Sequence, residues 1–404
     1  MTIEALAARE ILDSRGCPTL EVSIQLNGVR ASASVPAGKS VGSHEAYELR
    51  DGESRFNGKG VLKAVAAVEH EIAARCVGNT WTQESLDAAL CELDGTTTKE
   101  RLGANALLGV SLAFARAAAQ NSGMPLYRYI AQCAGTVPAV PQVSLNVING
   151  GAHADSGLTL QEFMLVPART TVAQELAEGY AVIEALRGRL VAAGLSVGVG
   201  DEGGFSPKLE STEAALDLLC GAIKDAGVSG MQVALDAAAS SFYAQGLYTL
   251  TPEGAFTTQE LLSWYEDLID SYPIVSLEDP FAEDDWEGFS ALVRAQGSKV
   301  RIVGDDLLAT NTQRIEEALG SQAVNTVLLK PNQVGTLTET LRAASAGRRG
   351  GAALFASHRS GETNDDFIAD LAVGLGCEYI KAGSLARGER VAKYNRLLHI
   401  AQEI

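Results

Sequence analysis

Three acidic residues, Asp236, Glu278 and Asp305, each close a short apolar run: VALD, IVSLE and VRIVGD. Carboxylates are hard oxygen donors. Three of them converging on one point would make a Mg2+ site, because that ion takes carboxylates and keeps waters and substrate oxygens. Two lysines end later runs of the same kind, Lys330 in TVLLK and Lys381 in YIK. A lysine beside a divalent cation and a second lysine has its pKa pushed down, which suits a general base. His358-Arg359-Ser360 follows ALFAS and offers an imidazole, a planar cation and a hydroxyl, a combination suited to a phosphate. Earlier runs end near His153, Glu162 and Asp201-Glu202. Two carboxylates close together share a proton or raise a pKa, so one of Glu162 and Glu202 is a candidate acid. A lone Asp after a strand is ordinarily a helix cap. Ionisable groups at nearly every strand end do not fit capping, and the nearby residues hold too few cations to make the acidic ones a set of salt bridges.

The hexapeptide AGKSVG, Ala37 to Gly42, resembles part of a phosphate loop, but position 33, where such a loop needs glycine, is alanine. The upstream VRASASV is small and polar, and no long helix follows directly, so the stretch reads as a flexible surface turn in preference to a nucleotide cradle.

Composition narrows the partners. The chain has 404 residues, 46% of them hydrophobic and 20% charged, with a net charge of -18. That is a globular balance over two or three domains. Nucleic acid and anionic membranes are poor partners for so acidic a chain. The six cysteines are scattered without a Cys-x-x-Cys pair, the usage of a reducing compartment. The first residues carry charges where a signal peptide needs an apolar core, and no apolar run spans a bilayer. A soluble, cytoplasmic protein is expected.

These residues need elements to hold them. TLEVSIQL alternates apolar and polar residues, and Asn27-Gly28 signals a hairpin into VRASASV. VLKAVAAVEHEIAARC and NALLGVSLAFARAAAQ have helical spacing. Together these predict an N-terminal α+β domain over 1–125. MPLYRYIAQCAGTVPAVPQ has three prolines and no long periodicity, which predicts a linker over 126–138. From 139 to 404 short apolar runs alternate with helical stretches. They include VSLNVINGG, EFMLVP, VGVGDEGG, VALD, IVSLE, VRIVGD, TVLLK, ALFAS and YIK. Strand–helix alternation predicts a parallel sheet with buried strands. About eight repeats over roughly 260 residues predict a closed (β/α)8 barrel, modified at its crowded start. Strand C-termini in such a barrel aim at the active site, which is where the ionisable residues fall.

Ten segments resemble enolase over nearly the whole chain: REILDSRG, GKGVLKAV, RLGANALLGVSLAFARA, LNVINGGAHA, LQEFMLVP, GDEGGFSP, SLEDPFAEDDWEG, GDDLLATN, SHRSGET and VAKYNRLL. The resemblance implies a smaller α+β domain before a modified (β/α)8 barrel, a Mg2+ cofactor, a small anionic phosphorylated substrate and a homodimer or larger ring. By similarity, Asp236, Glu278 and Asp305 would hold the first Mg2+. Lys330 would take the proton next to the substrate carboxylate, and Lys381 would help stabilise the enolate. Glu202, supported by Glu162, would assist loss of hydroxide as water, with His153 on the same side. Gln161, His358, Arg359 and Ser360 would contact the substrate. The reaction implied is dehydration of 2-phosphoglycerate to phosphoenolpyruvate, as in glycolysis.

AGKSVG then falls at the family's mobile lid, usually Ser-Gly-Ala-Ser-Thr-Gly. Ser40 matches the serine that would serve the second Mg2+ and the phosphate; Ala37, Lys39 and Val41 depart from the pattern. Ser241 stands where the family commonly has Glu. Lys39 is either a solvated lysine on a tolerant lid or a partner for an added negative charge on the substrate. The second alternative resembles carboxyphosphonoenolpyruvate synthase, an enolase-like enzyme of phosphonate antibiotic pathways. A non-catalytic binding or structural role would be supported by loss of a metal ligand or the base, and none is lost.

Overall fold

The computed structural model describes residues 1–39, 42–169 and 171–404. It begins with a three-stranded antiparallel sheet of β1 (Ile3–Leu12), β2 (Pro18–Leu26) and β3 (Val29–Ser34). Leu20, Val22, Ile24 and Leu26 of β2 are buried, the two-residue period of a strand with one face in a core. Asn27 and Gly28 both take positive φ, 49° and 80°, as a two-residue hairpin turn with the strand twist requires. A helical stretch over 62–76 leads to α1 (Gln83–Asp94) and α2 (Ala104–Asn121). The alanines and Gly109 of α2 let it lie close on the sheet: a Cβ at Gly109 would meet Val22 Cγ2 at 2.5 Å.

The stretch expected as a linker carries a helix, α3 (Leu126–Ala134). Pro125 precedes its first turn and Gly135, at φ 68°, stops it. Nine residues are too few for a conspicuous period between prolines, yet α3 buries Leu126, Tyr127, Tyr129 and Ile130.

Eight strands then close a barrel in chain order. They are β4 (Gln142–Asn149), β5 (Glu162–Val166), β6 (Gln232–Asp236), β7 (Ile274–Glu278), β8 (Arg301–Gly304), β9 (Thr326–Leu329), β10 (Ala353–Ser357) and β11 (Tyr379–Lys381). The helices outside them are α4 (Val172–Ala192), α5 (Thr212–Asp225), α6 (Thr258–Ser271), α7 (Trp286–Gln296), α8 (Thr312–Gly320), α9 (Leu337–Arg349), α10 (Phe367–Leu375) and α11 (Gly388–Ile400).

The sheet is not wholly parallel, because β5 runs antiparallel to β4 and to β6. No crossover helix separates β4 from β5, so the chain returns as a hairpin. Glu162 therefore opens its strand rather than closing it, and the reversal brings it to the same rim as Asp236, its register partner. VGVGDEGG is likewise no barrel strand; it is a turn joined by the isolated bridges Ile148–Phe205 and Val199–Phe205. Among the described residues no helix is long and apolar enough to cross a membrane.

Candidate active site

Most of the residues singled out above gather at one rim. Asp236 and Glu278 are the last residues of β6 and β7 and are register partners. Asp305 comes directly after β8, Lys330 after β9 and His358 after β10, while Lys381 ends β11. A single small cavity is lined by His153, Gln161, Glu162, Glu202, Asp236, Lys330, His358, Arg359, Ser360 and Lys381. Ser40 lies outside the described residues. Lys39 stands at the mouth: its backbone N–H donates to Ser360 Oγ at 2.8 Å, and its ammonium lies 3.2 Å from Asp201 Oδ2.

The two lysines pair with all three acidic residues, so the expectation that nearby cations are too few for salt bridges is corrected: strand ends far apart in the chain supply them. Lys381 Nζ lies 2.7 Å from Glu278 Oε1, 3.2 Å from Asp236 Oδ2 and 3.5 Å from Glu162 Oε2. Lys330 Nζ pairs with Asp305 Oδ2, and Gln333 Nε2 donates to Asp305 Oδ1 at 2.8 Å. Gln161 Nε2 donates to Asp236 Oδ2 at 3.3 Å. Asp279, at φ 41°, uses both oxygens to accept the N–H groups of Asp305 and Asp306, which fixes the turn that presents Asp305.

Whether these carboxylates suit a metal can be tested on their own satisfaction. Asp236, Glu278 and Asp305 are 2%, 1% and 8% exposed, and Glu278 Oε2 has no hydrogen-bond partner among the described residues. A buried carboxylate oxygen without a donor is costly unless a cation meets it. Burial, then the neighbouring Asp236, raises the Glu278 pKa well above the carboxylate range. Buried, oxygen-rich and with one Glu278 oxygen unmet, these carboxylates have the donor chemistry of a hard divalent ion, whose charge would take the place of the Lys381 and Lys330 ammonium groups now paired with them.

Burial acts to lower the Lys330 pKa, but the Asp305 carboxylate outweighs burial and the net shift is upward. The ion pair holds the proton that a base would have to lose. Lys381 is likewise held charged: burial opposes it, and Glu162, Glu278 and Asp236 win.

Across the cavity, His153, Glu162 and Glu202 each offer an atom within 4.8 Å of the others. Burial and then Glu202 raise the Glu162 pKa well above its usual value. Burial alone would raise Glu202 too, but His153 and His358 reverse this and hold it well below. Asn146 Nδ2 adds a hydrogen bond to Glu202 Oε2 at 2.7 Å. The two carboxylates are thus pushed in opposite directions, which makes Glu162 the member of the pair inclined to keep a proton.

Two partners were invisible in the sequence. Glu45 meets the Arg359 guanidinium with both oxygens, at 2.8 and 3.2 Å, and also accepts the Gly42 N–H at 3.1 Å. Arg390, in the first turn of α11 and fully buried, reaches His358. The only signal for Arg390 was a cation beside VAKYNRLL.

Sequence-family models match both parts of the chain: the enolase N-terminal domain over residues 3–130, and the enolase C-terminal TIM barrel domain over 137–404. The chain belongs to the enolase family. Enolase membership carries an enolase-type lyase chemistry in general, with a small phosphorylated substrate, general dependence on Mg2+ and, typically, oligomeric assembly. The buried acidic rim described above is where an enolase ion would be held.

Proposed function

We propose that this chain is a Mg2+-dependent enolase that converts 2-phosphoglycerate into phosphoenolpyruvate and water. The observation that carries this reading is an opposition. Lys330 follows β9 and Glu162 opens β5, four steps apart in a ring of eight strands, so a base and an acid face each other across the cavity.

Mg2+, when held by Asp236, Glu278 and Asp305, supplies positive charge against the enolate that proton removal creates. The chain's own side chains do the rest. Lys330 Nζ, once it has given up its proton and left Asp305, takes the hydrogen from the carbon next to the carboxylate. Lys381, held charged, stabilises the resulting negative charge from a fixed position. The Glu162–Glu202 pair supplies one proton to the departing hydroxyl, with His153 beside it. Arg359, Ser360 and His358, one loop after β10, hold the phosphate; Gln161 lines the same cavity. For Lys330→Ala, absorbance growth from 2-phosphoglycerate is expected to fall by at least about a hundredfold. A folded, Mg2+-loaded wild type that gives no absorbance growth rules the substrate out.

One observation favours a second reading. Lys39 brings a cation to the rim, anchored through Ser360, where the family lid has none. A substrate with a carboxylate on phosphorus, as in carboxyphosphonoenolpyruvate synthesis, would exchange Asp201 for its own charge. Lys39→Ala should then harm turnover of a carboxyphosphono substrate more than that of 2-phosphoglycerate. Equal losses remove this reading. Retention of all three acidic residues and both lysines favours either enzyme over a non-catalytic role.

A further inference from the structure

Arg390 is fully buried, yet it lies in the first turn of a helix outside the barrel. Its fork reaches three separate segments. Nη1 lies 2.6 Å from His358 Nδ1 and donates to Arg359 O at 2.6 Å. Nη2 donates to Ser360 O at 2.6 Å, to Asp201 O at 3.1 Å and to Ser14 Oγ at 3.5 Å. Room for the stem comes from Gly383, where a Cβ would meet Arg390 Cδ at 2.8 Å.

One of these contacts has chemical content beyond a staple. A guanidinium has donors only and keeps its charge, so the nitrogen it touches must accept. His358 Nδ1 is then bare, and the ring's one proton sits on Nε2. That nitrogen is buried, has no hydrogen-bond partner among the described residues, and lies 3.7 Å from Glu202 Oε1.

We propose that Arg390 is a positioning residue of the active site: it fixes His358 as the Nε2–H tautomer, a donor aimed at Glu202, and sets the Glu202 turn and the phosphate loop in one register. The catalytic consequence rests on the assignment of Glu202 to the acid pair. His358 acts as a donor toward Glu202 or toward a substrate oxygen between them, and not as a base. Burial and the charges of Arg390, Lys381 and Lys330 act against Glu202 to keep the ring neutral. A ring with the other tautomer would turn a lone pair toward the Glu202 carboxylate.

The test reads the tautomer itself. Protein labelled with 15N in its histidine rings is examined by long-range proton–nitrogen correlation, with the His358 signals assigned from His358→Asn. The wild type is expected to show a neutral Nε2–H ring through neutral pH; an Nδ1–H ring or an imidazolium overturns the proposal. In Arg390→Met the signals should move to a mixed or Nδ1–H state. Arg390→Lys serves if the first variant does not fold, since three ammonium protons cannot satisfy five acceptors. An unchanged tautomer in a folded variant overturns the proposal. Turnover should fall by roughly tenfold to a hundredfold together with the tautomer change. The tautomer is measured without substrate, so failure of 2-phosphoglycerate turnover in the wild type would count against the enolase reading and leave this result standing.

Discussion

Arg359 would grip a phosphate, but in the substrate-free chain its guanidinium is already bound by Glu45. The pair is 4% exposed on both sides, so neither charge has water to turn to. Glu45 also accepts the Gly42 N–H, which ties Gly42 to the loop after β10 that carries Arg359. Glu45→Gln leaves the buried cation half-met, and a loss of about 2 kcal/mol of stability is expected. Inorganic phosphate should restore more of that loss in the variant than it adds to wild type, since it supplies the missing charge. Thermal melts with and without phosphate check this, and an equal phosphate effect on both proteins would argue against the role given to Glu45. The residue types at the rim were legible because a strand end exposes its last side chain to the site. The partnerships were not: Glu45 and Arg359 are 314 positions apart, and no pattern in the chain links them.

The reversed strand β5 decides the acid half of the site, and its neighbour α4 shows how the barrel's opening is held. Glu175, in the first turn of α4, accepts the Val143 N–H of β4 through Oε2 at 3.1 Å. Burial pushes its pKa from 4.5 up to about 7, against two backbone hydrogen bonds. The folded chain therefore keeps a proton that the unfolded chain releases above pH 4.5, so stability falls as pH rises from 4.5 to about 7. Glu175→Gln keeps an oxygen for Val143 without the ionisation cost. It should leave stability near the wild-type value at acid pH and gain about 2 kcal/mol at alkaline pH. Denaturant titrations at the two pH values check the sign; a gain confined to acid pH would contradict it. Alternation of strands and helices predicted this barrel, but one antiparallel strand has the same apolar run as a parallel one. Direction depends on whether a crossover helix intervenes, and the turn at Gly150–Gly151 gave no local sign of it.

The two domains meet next to the proposed base. Asp87 of α1 accepts the Thr338 N–H at 2.9 Å and its hydroxyl at 2.6 Å, at the start of α9. Ser111 of α2 accepts the adjacent Leu337 N–H at 2.9 Å. Gln83 Nε2 donates to both Asp87 and Ser111, closing a buried network. The N-terminal domain thus caps the helix that follows Lys330. Asp87→Ala leaves several buried donors unmet, and a loss of about 3 kcal/mol is expected in urea unfolding. A loss below about 0.5 kcal/mol, the scale of an ordinary surface substitution, would show that the network does not join the domains.

The amino-acid sequence by itself determined the inventory: an α+β unit, a barrel rhythm, and carboxylates, lysines and a His-Arg-Ser triplet at its strand ends. Those features follow from local periodicity and strand polarity. Only the tertiary structure decided which way these groups are pushed. Glu162 is driven up and Glu202 down, Asp305 raises Lys330, and Arg390 meets one ring nitrogen of His358. Each of these depends on burial and on charges a few ångströms away, contributed by segments far apart in the chain.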